Sequence, residues 1–288
     1  HFGRPGVKAV PIARQLDLPF VVTFYGYDIS KLPRERRWRE AYESIWRTAQ
    51  AVVVLSEEMK EAAVRLGAPP DAVQVVHLAR DLDDFPYRPP SAPVSEFISV
   101  GRLTGKKGHF DAIRAVQKRN EAGDDLQLYI VGDGPQRDDL EQYIQAHNLQ
   151  SSVELLGSIP NAEVARRLQK ADAFLLCSKT AASGDREGTP TVLIEAQAVG
   201  LPCVSTTHAG IPEMIPESNH SLLAPEGEVD AIAERLRRLR ACSDEELRGV
   251  SAAGREIIET SFSLSSEAGA LRKIYERAVH DREHATAS

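Results

Sequence analysis

Three short segments of this chain carry the residue types needed to grip a phosphorylated sugar. The first is Glu187-Gly-Thr-Pro-Thr-Val-Leu-Ile-Glu195. Thr189 is suited to cap a helix whose first residue is Pro190. Glu195 then lies within that helix and Glu187 in the loop before it. A helix start attracts phosphate through unpaired amides and the helix dipole, and a carboxylate accepts hydrogen bonds from neighbouring sugar hydroxyls. The second segment, Gly101-Arg-Leu-Thr-Gly-Lys-Lys-Gly108, places Arg102, Lys106 and Lys107 in a glycine-punctuated loop after an apolar run. Arginine can fork onto phosphate, and lysine adds a point charge. The third, Val131-Gly-Asp-Gly-Pro135, offers Gly132 and Gly134, where a ligand could approach the backbone. Each segment alone has a plainer reading: a loop carboxylate, a solvated basic turn, a glycine turn. The basic loop lacks P-loop spacing, and Arg137 stands where a dinucleotide fingerprint needs a third glycine.

Apolar runs alternate with helical stretches along the chain, the pattern of βαβ units and parallel sheets. Strands are expected at Phe20–Phe24, Ala51–Leu55, Val73–Val76, Phe97–Val100, Leu126–Val131, Val153–Leu156, Ala173–Cys177 and Cys203–Ser205. Most are continuous apolar runs, as when helices cover both faces of a sheet. The proline-dense stretch Phe85–Pro93 cannot continue a helix or central strand and is read as a linker. The expected division is a first Rossmann-like domain over 1–90, a second over 94–262, and a closing helix over 263–282. That helix carries an apolar stripe of Leu264, Ala268, Leu271, Ile274, Tyr275 and Val279. Only three strands precede the linker, and the chain opens on His1-Phe2-Gly3 without an initiator methionine. The first domain is therefore expected to be truncated.

The composition sets outer limits. With 288 residues, 42% of them hydrophobic, the chain can bury more than one core. A net charge of -7 disfavours general nucleic-acid binding. Cys177, Cys203 and Cys242 show no metal spacing and fit a reducing compartment. No apolar run approaches bilayer length. A cytoplasmic protein is expected. The segment Arg34–Arg39 opens a basic helix with Trp38, Tyr42, Ile45 and Trp46 on one stripe, which would suit the inner face of an anionic membrane through residues 34–46. The preferred reading packs that stripe into the first domain.

The ordered set G-R-x-x-x-K-K-G, V-G-D-G-P and E-G-T-P-T-V-L-I-E resembles the donor-binding half of retaining glycosyltransferases of family 4, which have the GT-B fold. Thr207-His-Ala-Gly-Ile-Pro-Glu213 resembles that family's G-I-P-E turn. The resemblance implies an α/β, GT-B-like architecture of two facing Rossmann-like domains. It implies sugar transfer from a nucleotide sugar, a UDP- or GDP-sugar, to an acceptor hydroxyl with retention and no further cofactor. By the resemblance Arg102 and Lys107 hold the donor diphosphate, Glu187 bonds a donor-sugar hydroxyl and Glu195 the ribose. Amides near Gly188, Thr189 and Thr191 face the phosphates, with Gly132 and Gly134 beside the donor. His1 resembles the end of the family's active-site H-F-G motif. Thr23-Phe-Tyr-Gly-Tyr-Asp28 resembles a T-x-H-G-x-D loop, making Tyr25 and Asp28 acceptor-side candidates, although Tyr25 replaces a histidine and titrates far from neutrality. Similarity to transferases of colanic acid and capsule assembly implies a polysaccharide or lipid-linked acceptor. His77-Leu-Ala-Arg-Asp81 departs from the family's N-G-V-D pattern, so Arg80 receives no role. Asp81-Leu-Asp83 is read as structural rather than metal-binding, and His109, His208 and His220 as ordinary hydrogen-bonded residues. Competing readings are a non-catalytic nucleotide-sugar-binding protein, a sugar-nucleotide epimerase and an NAD-dependent oxidoreductase. The truncated first domain further leads to an expectation of poor transfer by this chain.

Overall fold

The structure, a computed structural model, describes residues 1–286, with side chains described through Arg282. Strands β1 (Val21–Thr23), β2 (Ala51–Val54) and β3 (Val73–Val75) form one sheet in that order. Strands β4 (Glu96–Val100), β5 (Gln127–Val131), β6 (Val153–Gly157), β7 (Ala173–Leu176), β8 (Cys203–Thr206) and β9 (Leu223–Ala224) form a second, in the order β6-β5-β4-β7-β8-β9. Every pairing is parallel. Eight of these strands coincide with the apolar runs of the sequence. The exception, β9, is two residues long, too short to leave a pattern. In β7 each of Ala173, Phe174, Leu175 and Leu176 is fully buried, because separate apolar cores cover the two faces of the second sheet.

The second sheet is wound outward from β4 through β5 and β6, then restarts at β7 on the other side of β4. Connections that leave in opposite directions open a crevice at the carboxyl ends of β4 and β7, where ligands bind in sheets of this kind. The basic loop 101–108 follows β4 and the loop carrying Glu187 follows β7, so both flank the crevice.

The first sheet carries helices Gly3–Gln15, Arg36–Trp46 and Glu57–Arg65. In Arg36–Trp46 the aromatic stripe turns inward: Tyr42, Ile45 and Trp46 are buried, and Phe24 packs 5.4 Å from the Tyr42 ring and 5.5 Å from the Trp46 ring. Half-buried Trp38 is covered by the Arg4 guanidinium, 5.1 Å from the ring. Among the described residues no helix is long and apolar enough to cross a membrane.

The chain passes between the two units twice, and the passages touch. Arg80 N–H donates to Phe262 C=O at 3.1 Å, and Arg80 pairs with Ser263 in an isolated parallel bridge. The proline-dense stretch lies along the second unit, with Arg88 N–H donating to Val199 C=O at 3.0 Å. The last helix, Leu264–Thr286, reaches the first unit, where Arg282 pairs with Asp17 and Ile274 and Ala278 line a groove against Gln50 and Gln74. Its covered face is turned from the one read in the sequence. Ala278 is buried, whereas Leu264, Ala268, Tyr275 and Val279 are exposed.

Candidate active site

At the end of β4 the chain makes a 3-10 turn, Gly105–Lys107, then passes through Gly108 into helix His109–Glu121. The Lys107 stem lies over Gly101, where an added Cβ would meet it at 3.1 Å, and its Nζ donates to Glu187 Oε2 at 3.1 Å. Lys106 Nζ lies 3.7 Å from Glu187 Oε1 and 3.5 Å from Asp185. Arg102 is exposed, and among the described residues its guanidinium has no hydrogen-bond or ion-pair partner. Arg102 thus shares one short loop with two lysines, a set of cations of the kind that binds phosphate. Gly132 borders this loop with φ 139°, and a Cβ there would stand 2.0 Å from Gly101 O. Packing of one loop on another, rather than ligand approach alone, therefore demands the glycine.

Glu187 is nearly buried, at 8% exposure. Its backbone N–H donates to His208 Nε2 at 3.2 Å. That nitrogen must then be unprotonated, so the ring proton sits on Nδ1, which bonds Glu226. Burial pushes His208 below its ordinary value, against the pull of Glu226, and keeps it neutral. Glu226 also accepts from Thr180 N–H and Thr180 Oγ1, each at 3.0 Å. Partial burial pushes Glu226 up, but the bonds from His208 and Thr180 outweigh it and hold the carboxyl below its usual range. One carboxylate thus ties both ends of the loop Thr180–Glu187. His208 was read as an ordinary hydrogen-bonded residue; its bond is to the very loop that bears Glu187. His109, fully buried, is driven down to about 4 by burial and by Lys107, and His220 Nε2 lies against the carbonyls of Pro212 and Ile215.

The helix after this loop runs Thr191–Ala198, with Pro190 as N-cap and no side-chain cap. Thr189 does not cap it. Its hydroxyl instead donates across the units to Leu55 C=O at 3.3 Å, because the proline already occupies the capping position. The amides of Thr191 and Val192 precede the first intrahelical bond, which Leu193 N–H makes to Pro190 C=O at 2.9 Å. Glu195 and Thr191 share one partner, Arg80, whose Nε is 2.8 Å from Glu195 Oε1 and whose Nη2 is 2.8 Å from Thr191 Oγ1. Arg80, given no role from the sequence, is thus at the centre of the ribose-side candidates. Its signal was the departure at His77-Leu-Ala-Arg-Asp81 itself. Arg80 and Glu195 open onto a cavity of about 700 Å³ that Asn161 and Ala162 close from the end of β6. Asp81 lies on the same wall, and its Oδ1 accepts the Asp83 N–H.

From the first unit, His1 Nδ1 lies 2.6 Å from the Tyr25 hydroxyl. Partial burial, then the nearby Glu267, pushes the Tyr25 hydroxyl further above its already high value. Asp28 has a different task from the one expected. It is buried, Oδ1 accepts from the amides of Tyr25 and Gly26, and Oδ2 accepts from Gly3. It shapes the loop that presents Tyr25 and has little carboxylate left for a ligand. This loop meets the Glu187 segment directly: a Cβ on Gly188 would stand 2.7 Å from Tyr25 O, so only glycine admits the contact. Glu213 of the G-I-P-E turn accepts the Glu57 N–H through both oxygens, at 2.9 and 3.0 Å. It closes the start of a first-unit helix from the second unit.

Comparison with known proteins agrees with this arrangement. The family described as "Glycosyl transferases group 1" matches residues 90–256, and "Glycosyl transferase 4-like domain" matches residues 2–79. The chain is 36% identical to the colanic acid biosynthesis glycosyltransferase WcaL of Escherichia coli K12 over 91% of this chain and 66% of that one. It is 34% identical to the amylovoran biosynthesis glycosyltransferase AmsK of Erwinia amylovora, over 96% of this chain and 69% of that one. The chain thus spans about two thirds of the length of these relatives. Among solved structures, Anabaena HepE in complex with UDP and glucose superposes with a TM-score of 0.78 at 18% identity, covering 96% of this chain and 75% of that one. Sucrose-phosphate synthase from Thermosynechococcus elongatus gives 0.78 at 20% identity, covering 97% and 73%. With its crevice, its paired lysine and glutamate and both family matches in place, the chain belongs to the group 1 glycosyltransferases and has the GT-B fold.

Proposed function

We propose that this chain binds a nucleoside diphosphate sugar, UDP- or GDP-linked, and transfers its sugar, a hexose or similar, with retention to a hydroxyl of a polysaccharide or lipid-linked saccharide. The observation that carries this reading is the meeting of Lys107 and Glu187 at the carboxyl ends of β4 and β7, beside the partnerless Arg102. Arg102 and Lys107 would neutralise the diphosphate and stabilise the charge that develops as it leaves. Glu187 would accept a hydrogen bond from a donor-sugar hydroxyl through Oε1, which has no hydrogen-bond partner among the described residues. Glu195, oriented by Arg80, would hold the ribose at the edge of the 700 Å³ cavity, which is large enough for a nucleoside. His1 and Tyr25 would face the acceptor. The relatives named for colanic acid and amylovoran synthesis, and solved neighbours holding UDP or UDP-glucose, support the substrate classes.

Calorimetric titration with UDP, GDP, ADP and NAD tests the reading, repeated on Lys107→Ala and Glu195→Ala. Saturable binding of one nucleoside diphosphate, weakened by both substitutions, is expected. Binding of none, or binding indifferent to both changes, would remove the donor site and the proposal with it.

A further inference from the structure

A second cleft opens on the other side of Glu187. Its volume is about 270 Å³, and its walls come from both units: Gly26, Ser30, Arg34 and Arg65 from the first, Arg186 and Glu187 from the second. This is slightly below the roughly 300 Å³ at which drug-sized pockets begin, and suits a single sugar ring or phosphate group. Three guanidinium groups line it. Arg34 rests on uncharged acceptors, the carbonyls of Ser183 and Gly184 at 3.4 and 3.2 Å. Among the described residues Arg65 pairs with Glu61 alone, one helical turn away at 3.3 Å on an exposed surface, a contact of little strength. Arg186 is held by Glu58, yet its Nε is buried without a partner.

The opposing charge is small. Glu58 is matched by Arg186, and Glu187 is matched by Lys107 and Lys106 from the far side. Among the described residues Arg34 is thus left without a carboxylate partner, and Arg65 with a weak one. The Ser30 hydroxyl is also buried without a partner. A neutral sugar would leave these donors underused, because buried polar groups are normally paired. An anion in the cleft would meet the Arg34 fork in charge-assisted bonds, beside the side chains of Arg65 and Arg186.

We infer that this cleft receives an anionic group of the acceptor, a carboxylate or a phosphate, and so seats the acceptor beside the donor sugar at Glu187. The inference rests on the transferase reading above and adds the acceptor's chemical class to it.

The test is a binding comparison on the whole chain, with and without saturating UDP. The probes are methyl β-D-glucoside, methyl β-D-glucuronide and geranyl diphosphate. At least one anionic probe should bind about tenfold or more tighter than the neutral glucoside, with an advantage that shrinks as salt rises. Whichever anion binds identifies carboxylate or phosphate as the source. In the Arg34→Gln/Arg65→Gln variant the advantage should fall to near onefold while UDP affinity stays within about twofold, since these arginines contact Ser183, Gly184 and Glu61 and UDP carries no sugar for Glu187 to bond. Equal binding of neutral and anionic probes, no binding of either anion, or an advantage that survives the double substitution would each overturn the inference. Failure of wild type to bind UDP would count against the transferase reading alone, because the anion comparison is also made without UDP.

Discussion

The two carboxylates before and within helix Thr191–Ala198 are both paired with a cation, but the pairs differ in kind. Glu187 is held within the second unit. Its side chain meets Lys107 and Lys106, and its backbone is fixed through His208 and Glu226. Glu195 is held across the units by Arg80, beside the place where the two passages of the chain touch. A rigid-body movement of one unit leaves the first pair intact and stretches the second. The site therefore has one end preorganised by its own scaffold and another that reports how the units sit. Electrostatic stabilisation depends on donors being in place before the charge develops. On the proposed function the Lys107–Glu187 end would serve that task, and the Arg80–Glu195 end would register closure around a nucleoside.

That contrast can be broken from either end. The largest loss should come from Lys107→Ala: about 10²–10³-fold in transfer rate, if it acts where charge develops. Steady-state kinetics with a competent acceptor would show it, and a loss confined to KM would reassign Lys107 to ground-state binding. Acid should next destabilise the protein. His109 has a folded-state value of about 4 against 6.5 for a free histidine, so the unfolded chain binds more protons between those values. Stability is complete above about pH 6.5 and falls as pH drops toward 4, by up to about 3 kcal/mol. Urea unfolding at stepped pH should show this slope, flattened in His109→Gln. Gly188→Ala drives a Cβ against the Tyr25 carbonyl and should cost about 1–3 kcal/mol, read as a lower unfolding midpoint. An unchanged midpoint would mean the units part easily there. Smallest is Arg80→Ala, expected to weaken nucleoside diphosphate binding about tenfold or less while sparing donor-sugar discrimination at Glu187. An equal loss at both ends would abolish the distinction drawn here.

The second unit was legible because its demands are local. A glycine-punctuated basic loop must follow a strand, and a carboxylate must flank a helix start, so short ordered motifs record both. The eight strands long enough to show a run of apolar residues were readable for the same reason, whereas β9 was not. Asp28 shows the opposite case. The letters suggested a ligand-facing carboxylate, and three backbone amides claimed it instead.

The sequence by itself determined the parallel α/β architecture, the order of the motifs and the residues of the basic loop, since each depends on composition and spacing within a few turns of chain. Only the tertiary structure decided that Arg80 reaches Glu195, that Glu213 closes a helix of the other unit, and that Arg34, Arg65 and Arg186 share one cleft. Those partners lie 115, 156 and up to 152 positions apart. No local pattern records a meeting that depends on how two separately folded units come together through their loops and helix ends.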